Sequence, residues 1–281
     1  MMKYTKTKNL ITIYNPQDFN VQQTLDCGQI FRYVIEGNVA KVFSMDKMAV
    51  LKTEKDKITI ESLDINYFEN FFDLQTDYAK IKTALKNDEF LKEAVSYGYG
   101  IRILKNDTYE MIVSFIISAN NNIKRIKNSI EYLCKTFGEN KGGYYAFPTL
   151  NQLKKATVQD YKNAGLGYRA EQMFETVQNL TEQQIEELKT LPLQEKFKFL
   201  ISLKGIGEKV ANCILLFGLN EKNVFPVDTW INKVYNHITQ TNSKNRKLIT
   251  QELTKKYGAL SGYAQQYFFY YFREKGNKST F

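Results

Sequence analysis

The stretch "LKGIGEKVANC", residues 203–213, decides how the chain reads. Gly205 and Gly207 bracket Ile206, and an apolar-periodic run then begins at Val210 and passes through Ala211, Cys213, Ile214, Leu215 and Phe217. That is a tight turn feeding a helix. Upstream, "LPLQEKFKFLISL" carries its own helical period, so residues 192–219 read as helix, hairpin, helix. The N–H groups of a sharp glycine turn, with the N-terminus of the second helix, can hold a phosphate without touching a base. Gly205, Gly207 and Lys204 are the phosphate candidates. A G-x-G pair alone serves equally as a plain connection between packed helices. Lys209 is less easily explained, because it stands in the first turn of the second helix, where the dipole disfavours a cation. The dipole, nearby Lys204 and any desolvation all favour the uncharged amine, the form a lysine nucleophile needs. The plainer role is a solvated lysine facing Glu208 or a phosphate. Cys213 follows at i+4 and shares the face of Lys209. Asp228, in "FPVDTW", is placed to cap a helix and stay ionised, and such a carboxylate can stabilise positive charge on a nearby sugar.

Composition narrows the partner. The 281 residues carry a net charge of +9 and a pI near 9.1, which favours a polyanion, nucleic acid ahead of an anionic membrane surface. A lysine-rich solubilising surface would give the same balance. No apolar run approaches the ~18 residues of a membrane span, and the apolar patch before Asn15-Pro16 is too short for a signal-peptide core. The three cysteines, Cys27, Cys134 and Cys213, are too few and too scattered for a zinc site, a disulfide framework or an iron–sulfur cluster. The expected compartment is reducing, intracellular and cytoplasmic, nucleoid-associated if the cell is bacterial. The single histidine, His237, excludes a multi-histidine metal site by count and reads as a surface or core residue.

Periodicity divides the chain. Short β-prone runs at Ile30–Ile35, Val39–Phe43, Ala49–Lys52 and Ile58–Glu61 alternate with polar breaks, which predicts an antiparallel meander. From "DYAKIKTALKNDEFLKEAVSYG" the spacing turns helical, and beyond Asp107 nearly every segment reads as helix. Asp107 with Glu110 three residues on predicts an Asx version of the capping box. The expected class is α+β, with an antiparallel sheet domain over residues 1–105 and an all-helical domain over 106–281. No internal repeat or low-complexity linker interrupts it.

With "GIGEKVANC" and "PVDTW" at this separation, the chain resembles the helix–hairpin–helix DNA glycosylase superfamily. Three further motifs, "CGQIFRY" (27–33), "SFIISANNNIKRI" (114–126) and "LGYRA" (166–170), make it similar to the 8-oxoguanine DNA glycosylase/AP lyase family, and "SGYAQQYFFYYF" (261–272) fits that family's carboxy-terminal helix. The resemblance implies a twisted amino-terminal sheet, a bifunctional excision and strand-cleavage activity, and duplex DNA containing oxidised guanine as partner. It also implies that Lys209 is the nucleophile and Asp228 the essential carboxylate. Gly28 would receive the N7–H of the damaged base through its carbonyl, Gln265 would read the Watson–Crick edge, and Phe269 and Cys213 would sandwich the ring. Asn120, Arg125 and Arg169 would meet the cytosine left behind, with Tyr168 as the wedge. The carbonyls of Ile201, Leu203 and Ile206 would hold a monovalent cation, no other cofactor being required, and a monomer is expected. Two residues depart from the family: Trp230 stands where histidine is frequent, and Lys204 replaces the usual proline of the turn. The alternatives are a glycosylase of different lesion preference, which generally lacks the Gly28/Gln265/Phe269 set, and a non-catalytic DNA-binding hairpin, which would need neither Lys209 nor Asp228. An iron–sulfur relative is opposed by the cysteine count.

Overall fold

Alternation at period two builds the amino-terminal layer. The computed structural model describes residues 2–276, and it begins with β1 (Tyr4–Lys6) and β2 (Leu10–Tyr14). Helix α1 (Val21–Asp26) follows, then β3 (Tyr33–Glu36), β4 (Val39–Ser44), β5 (Lys47–Thr53) and β6 (Lys57–Glu61). The strands form one antiparallel sheet in the order β1-β2-β6-β5-β4-β3. Its register sets Ile11 opposite Ile60, Ile60 opposite Leu51 and Leu51 opposite Ala40, so one face is continuously apolar. Helix α2 (Ile65–Phe71) covers it with Phe68, Phe71 and the following Phe72.

Two strand expectations shift. The predicted run Ile30–Ile35 starts as a strand only at Tyr33, because Ile30 packs into the sheet core while Phe31 enters the helical core. A segment crossing between two cores cannot pair along its length. Conversely, β1 and β2 were not expected, although "LITIY" alternates; β1 pairs only with β2, and the inner partner of β2 is β6, far along the chain.

The remainder is helical: α3 (Tyr78–Leu85), α4 (Glu89–Tyr97), α5 (Thr108–Ser118), α6 (Ile123–Phe137), α7 (Leu150–Leu153), α8 (Val158–Asn163), α9 (Arg169–Asn179), α10 (Glu182–Thr190), α11 (Leu193–Ser202), α12 (Glu208–Gly218), α13 (Thr229–Thr239), α14 (Arg246–Tyr257) and α15 (Ser261–Gly276). Caps set many of these starts. Thr149, Thr157 and Thr181 form reciprocal boxes with Gln152, Asp160 and Gln184. Asp88, accepting from the N–H groups of Phe90 and Leu91, opens α4 and splits the helical run that began in α3. Helix α5 is buried almost throughout and packs on α12, which makes it the centre of the second core.

The capping box expected at Asp107 is only half made. Asp107 accepts from the Glu110 N–H at 3.0 Å, but the Glu110 carboxylate turns away and accepts from the Met45 N–H at 2.7 Å. Met45 holds a left-handed φ of 51° in the β4–β5 hairpin, and its carbonyl accepts from Phe147 N–H and from Arg32 Nη1. Glu110 therefore ties the sheet to the central helix instead of closing its own helix start. Burial raises its pKa to about 7, with the nearby Arg32 charge working in the opposite direction.

Candidate active site and DNA interface

The hairpin between α11 and α12 is pressed against two other helices. Gly205 has φ +80°, and a Cβ there would stand 3.1 Å from Gln172 Oε1 and 3.4 Å from Ile116 Cγ2. Only glycine meets both demands. Thr176 Oγ1 donates to the Lys204 carbonyl at 2.9 Å, so α9 holds the turn from the side. Gly207 is the N-cap of α12 and supplies no side-chain acceptor, which leaves the first N–H groups of that helix available to an anion. Lys204 is exposed, with Nζ 3.9 Å from Glu175. Ile201 is exposed, Leu203 half-buried and Ile206 buried, and the Leu203 carbonyl accepts from the Ile206 N–H at 3.2 Å.

Lys209 emerges half-buried from the first turn of α12, with Nζ 5.7 Å from the centre of the Phe115 ring. The buried Cys213 thiol is pushed up by burial, while hydrogen bonding and proximity to Lys209 pull it down and the charge of Asp228 pushes it up again. The lysine, thiol and carboxylate thus share one electrostatic neighbourhood. Asp228 caps α13, accepting from the Ile231 N–H at 2.8 Å, which fixes one carboxylate oxygen and leaves the second. Trp230 lies half-buried in the first turn of α13, with Lys233 Nζ 5.0 Å from its ring centre.

A second group assembles from segments more than two hundred residues apart. Gly28 has φ +82°, and a Cβ there would meet Phe269 Cε1 at 3.1 Å. The loop is pinned by α15 at successive carbonyls: Arg273 Nη2 donates to Asp26 at 2.7 Å and Gln266 Nε2 to Cys27 at 2.6 Å. Gly28 is the next carbonyl in the row. Gln265 is 5% exposed, and its Oε1 is buried without a hydrogen-bond partner among the described residues. An unpaired buried acceptor is costly unless something fills it. Phe115 links this group to the first, since its ring lies 5.7 Å from that of Phe31, three residues after Gly28.

The remaining candidates lie on loops beside α5, α6 and α9. Asn120 is exposed at φ 48°, Asn122 caps α6 by accepting from the Arg125 N–H, and the Arg125 side chain is exposed. Tyr168 is 63% exposed, whereas the next residue, Arg169, is 5% exposed with its guanidinium 4.8 Å from the Tyr168 ring centre and its Nε unpartnered. An arginine expected to reach a base is therefore folded back beneath the tyrosine.

Two residues escaped the sequence reading. Gln266, beside Gln265 in "AQQ", fixes the loop rather than facing a ligand, and Phe115 floors the space between Lys209 and Phe31. A polar residue inside an otherwise aromatic helix was the available signal for Gln266; nothing in the sequence distinguished Phe115 from its apolar neighbours. Among the described residues no group of three or more His, Cys, Asp or Glu side chains is arranged to hold a metal ion.

An antiparallel sheet followed by this helical arrangement has known counterparts. Residues 11–112 match the 8-oxoguanine DNA glycosylase N-terminal domain, and residues 113–259 match the HhH-GPD superfamily base excision DNA repair protein. A Clostridium acetobutylicum 8-oxoguanine glycosylase/lyase, solved with double-stranded DNA containing cytosine opposite 8-oxoguanine, is 34% identical, with a TM-score of 0.91 over 98% of each chain. A probable N-glycosylase/DNA lyase of Methanothermobacter thermautotrophicus is 28% identical over 92% of this chain and 95% of its own. The Saccharomyces cerevisiae N-glycosylase/DNA lyase is 26% identical over 89% of this chain and 82% of its own. The chain belongs to the 8-oxoguanine DNA glycosylase family of the HhH-GPD superfamily.

Proposed function

We infer that this protein is a bifunctional base-excision repair enzyme that flips 8-oxoguanine, paired opposite cytosine, out of duplex DNA, excises it and cleaves the strand. The observation that carries the reading is the shared neighbourhood of Lys209, Cys213 and Asp228, joined through Phe115 to the loop that bears Gly28. As the N-glycosidic bond breaks, Asp228 stabilises positive charge on the sugar and Lys209 Nζ attacks C1′, the base leaving with the bonding electrons and gaining a proton. Ring opening gives an imine between Lys209 and C1′. The imine acidifies the C2′ proton, whose loss expels the 3′ phosphate, and water then releases the lysine. No cofactor enters this sequence.

Base choice follows from hydrogen bonding. 8-Oxoguanine presents N7–H to the Gly28 carbonyl, where guanine would set lone pair against lone pair at about 1–3 kcal/mol. Gln265 reads the Watson–Crick edge, and Phe269 and Cys213 take the two ring faces. Tyr168 enters the gap while Asn120, Arg125 and Arg169 meet the cytosine. Arg169 would have to leave its stack on Tyr168 to do so, which suits a loop that rearranges on the duplex. Gly205, Gly207 and Lys204 grip the backbone. A carbonyl oxygen has two lone pairs, so the Leu203 oxygen that accepts from Ile206 can also join those of Ile201 and Ile206 on a monovalent cation, adding positive charge beside the phosphate. The protein would act as a monomer on intracellular DNA.

Borohydride trapping on a duplex with one 8-oxoguanine opposite cytosine tests the reading. Wild type should yield a covalent protein–DNA adduct and Lys209→Gln none. Equal adducts from both proteins, or none from wild type that still binds, would sink the imine mechanism.

A further inference from the structure

Arg273 stands one turn beyond Phe269 on α15, outside the site residues assigned so far. Its guanidinium touches both the Gly28 loop and the Phe269 ring that packs on it. Nη2 donates to the Asp26 carbonyl at 2.7 Å and, like Nε, also reaches Glu274 Oε1. Nη1 is buried, has no hydrogen-bond partner among the described residues, and lies 3.7 Å from the point where a Gly28 Cβ would stand. The guanidinium carbon is 5.3 Å from the centre of the Phe269 ring. The Asp26 carboxylate is itself held by the Tyr33 hydroxyl at 2.6 Å, so the anchor to which Arg273 binds is fixed from the far side as well.

We propose that Arg273 is a positioning residue for lesion selectivity: it sets the Gly28 carbonyl at a fixed height and angle over the Phe269 ring. The argument is geometric and rests on the proposed function. Discrimination by one N7–H bond requires a donor–acceptor separation near 2.7–3.2 Å and good alignment, and Gly28 has a backbone conformation that nothing on its own side chain can hold. Gln266 fixes Cys27 alone. Arg273 reaches Asp26, the Gly28 Cα region and the Phe269 ring with one planar, rigid group. A lysine could replace the bond to Asp26 but not the planar contact with Phe269 and Gly28.

The test compares full-length wild type, Arg273→Ala and Arg273→Lys on two substrates in single-turnover assays: 8-oxoguanine opposite cytosine, and a preformed abasic site opposite cytosine. Affinities for 8-oxoguanine and guanine duplexes are measured in the Lys209→Gln background. Displacing a reacting group by a fraction of an ångström costs on the order of tenfold or more in rate. Arg273→Ala should lose at least about tenfold in base excision and a similar factor in the affinity ratio of 8-oxoguanine to guanine, while abasic-site cleavage stays within about twofold. Arg273→Lys should recover part of the ratio. A uniform loss on both substrates, or an unchanged affinity ratio, overturns the assignment. A wild type that releases no 8-oxoguanine would instead overturn the proposed function, so the two failures are distinguishable.

Discussion

Gly28 and Tyr168 belong to the same proposed DNA interface, yet the ring of Phe269 closes against one while the other is 63% exposed. The lesion side is assembled before DNA arrives. Its loop is held at Asp26 and Cys27 by α15, and its acceptor Gln265 Oε1 is already desolvated. The side that would meet the opposite base is unfinished: Asn120 and Arg125 are exposed, and Arg169 is stacked under the tyrosine it would work beside. On the proposed function, selection of the damaged base would draw on preorganisation, and recognition of its partner on rearrangement.

That contrast can be broken by experiment. The largest effect should come from Asp228→Asn. Asparagine caps a helix as well as aspartate does, so thermal stability should hardly change while base excision falls by about a hundredfold or more for want of the negative charge. A parallel loss of stability and activity would mean that Asp228 works only as a cap. Next, Gly28→Ala adds a Cβ at 3.1 Å from Phe269 in a left-handed backbone. Excision of 8-oxoguanine should drop about tenfold, with cleavage of a preformed abasic site nearly intact; equal loss of the two would place Gly28 outside base selection. Tyr168→Ala, on the unfinished side, should leave stability unchanged and slow excision by about threefold to tenfold, most visibly in assays limited by base flipping.

The last effect touches stability alone and belongs to the joint between the two cores. Glu110 has a folded pKa raised to about 7 from its ordinary 4.5. A raised carboxyl pKa means that the folded state binds the proton more tightly, so its stability contribution is greatest at acid pH. That contribution is lost between about pH 4.5 and 7 and stays lost above. Glu110→Gln keeps an acceptor for the Met45 N–H without the charge. Denaturant titrations from pH 5 to 8 should find wild-type stability falling relative to the variant, by roughly 2–3 kcal/mol. A constant difference across that range would show that Glu110 does not titrate there.

Much of this was legible in residues 203–228, because a hairpin, its lysine and its capping aspartate are local in sequence. The helix caps at Asp107 and Asp228 were likewise readable, since each needs only the next three residues. What escaped were contacts made across the chain. Strand β2 waits for β6, Glu110 prefers Met45 to its own N-cap, and Gln266 bonds a carbonyl 239 positions away. No local pattern encodes such partners. The inward turn of Arg169 was hidden for the same reason: LGYRA gives its neighbours but not the burial that makes stacking on Tyr168 available.

The docking of the hairpin on α9 has a mechanical consequence. Gln172 lies against Gly205 and Thr176 holds the Lys204 carbonyl, and both belong to the helix that begins immediately after Tyr168. The proposed phosphate grip and the proposed wedge therefore ride on one helix, like two points of a single caliper. A duplex that bends at the wedge would let both points engage at once, and a base pair that opens easily would lower the cost.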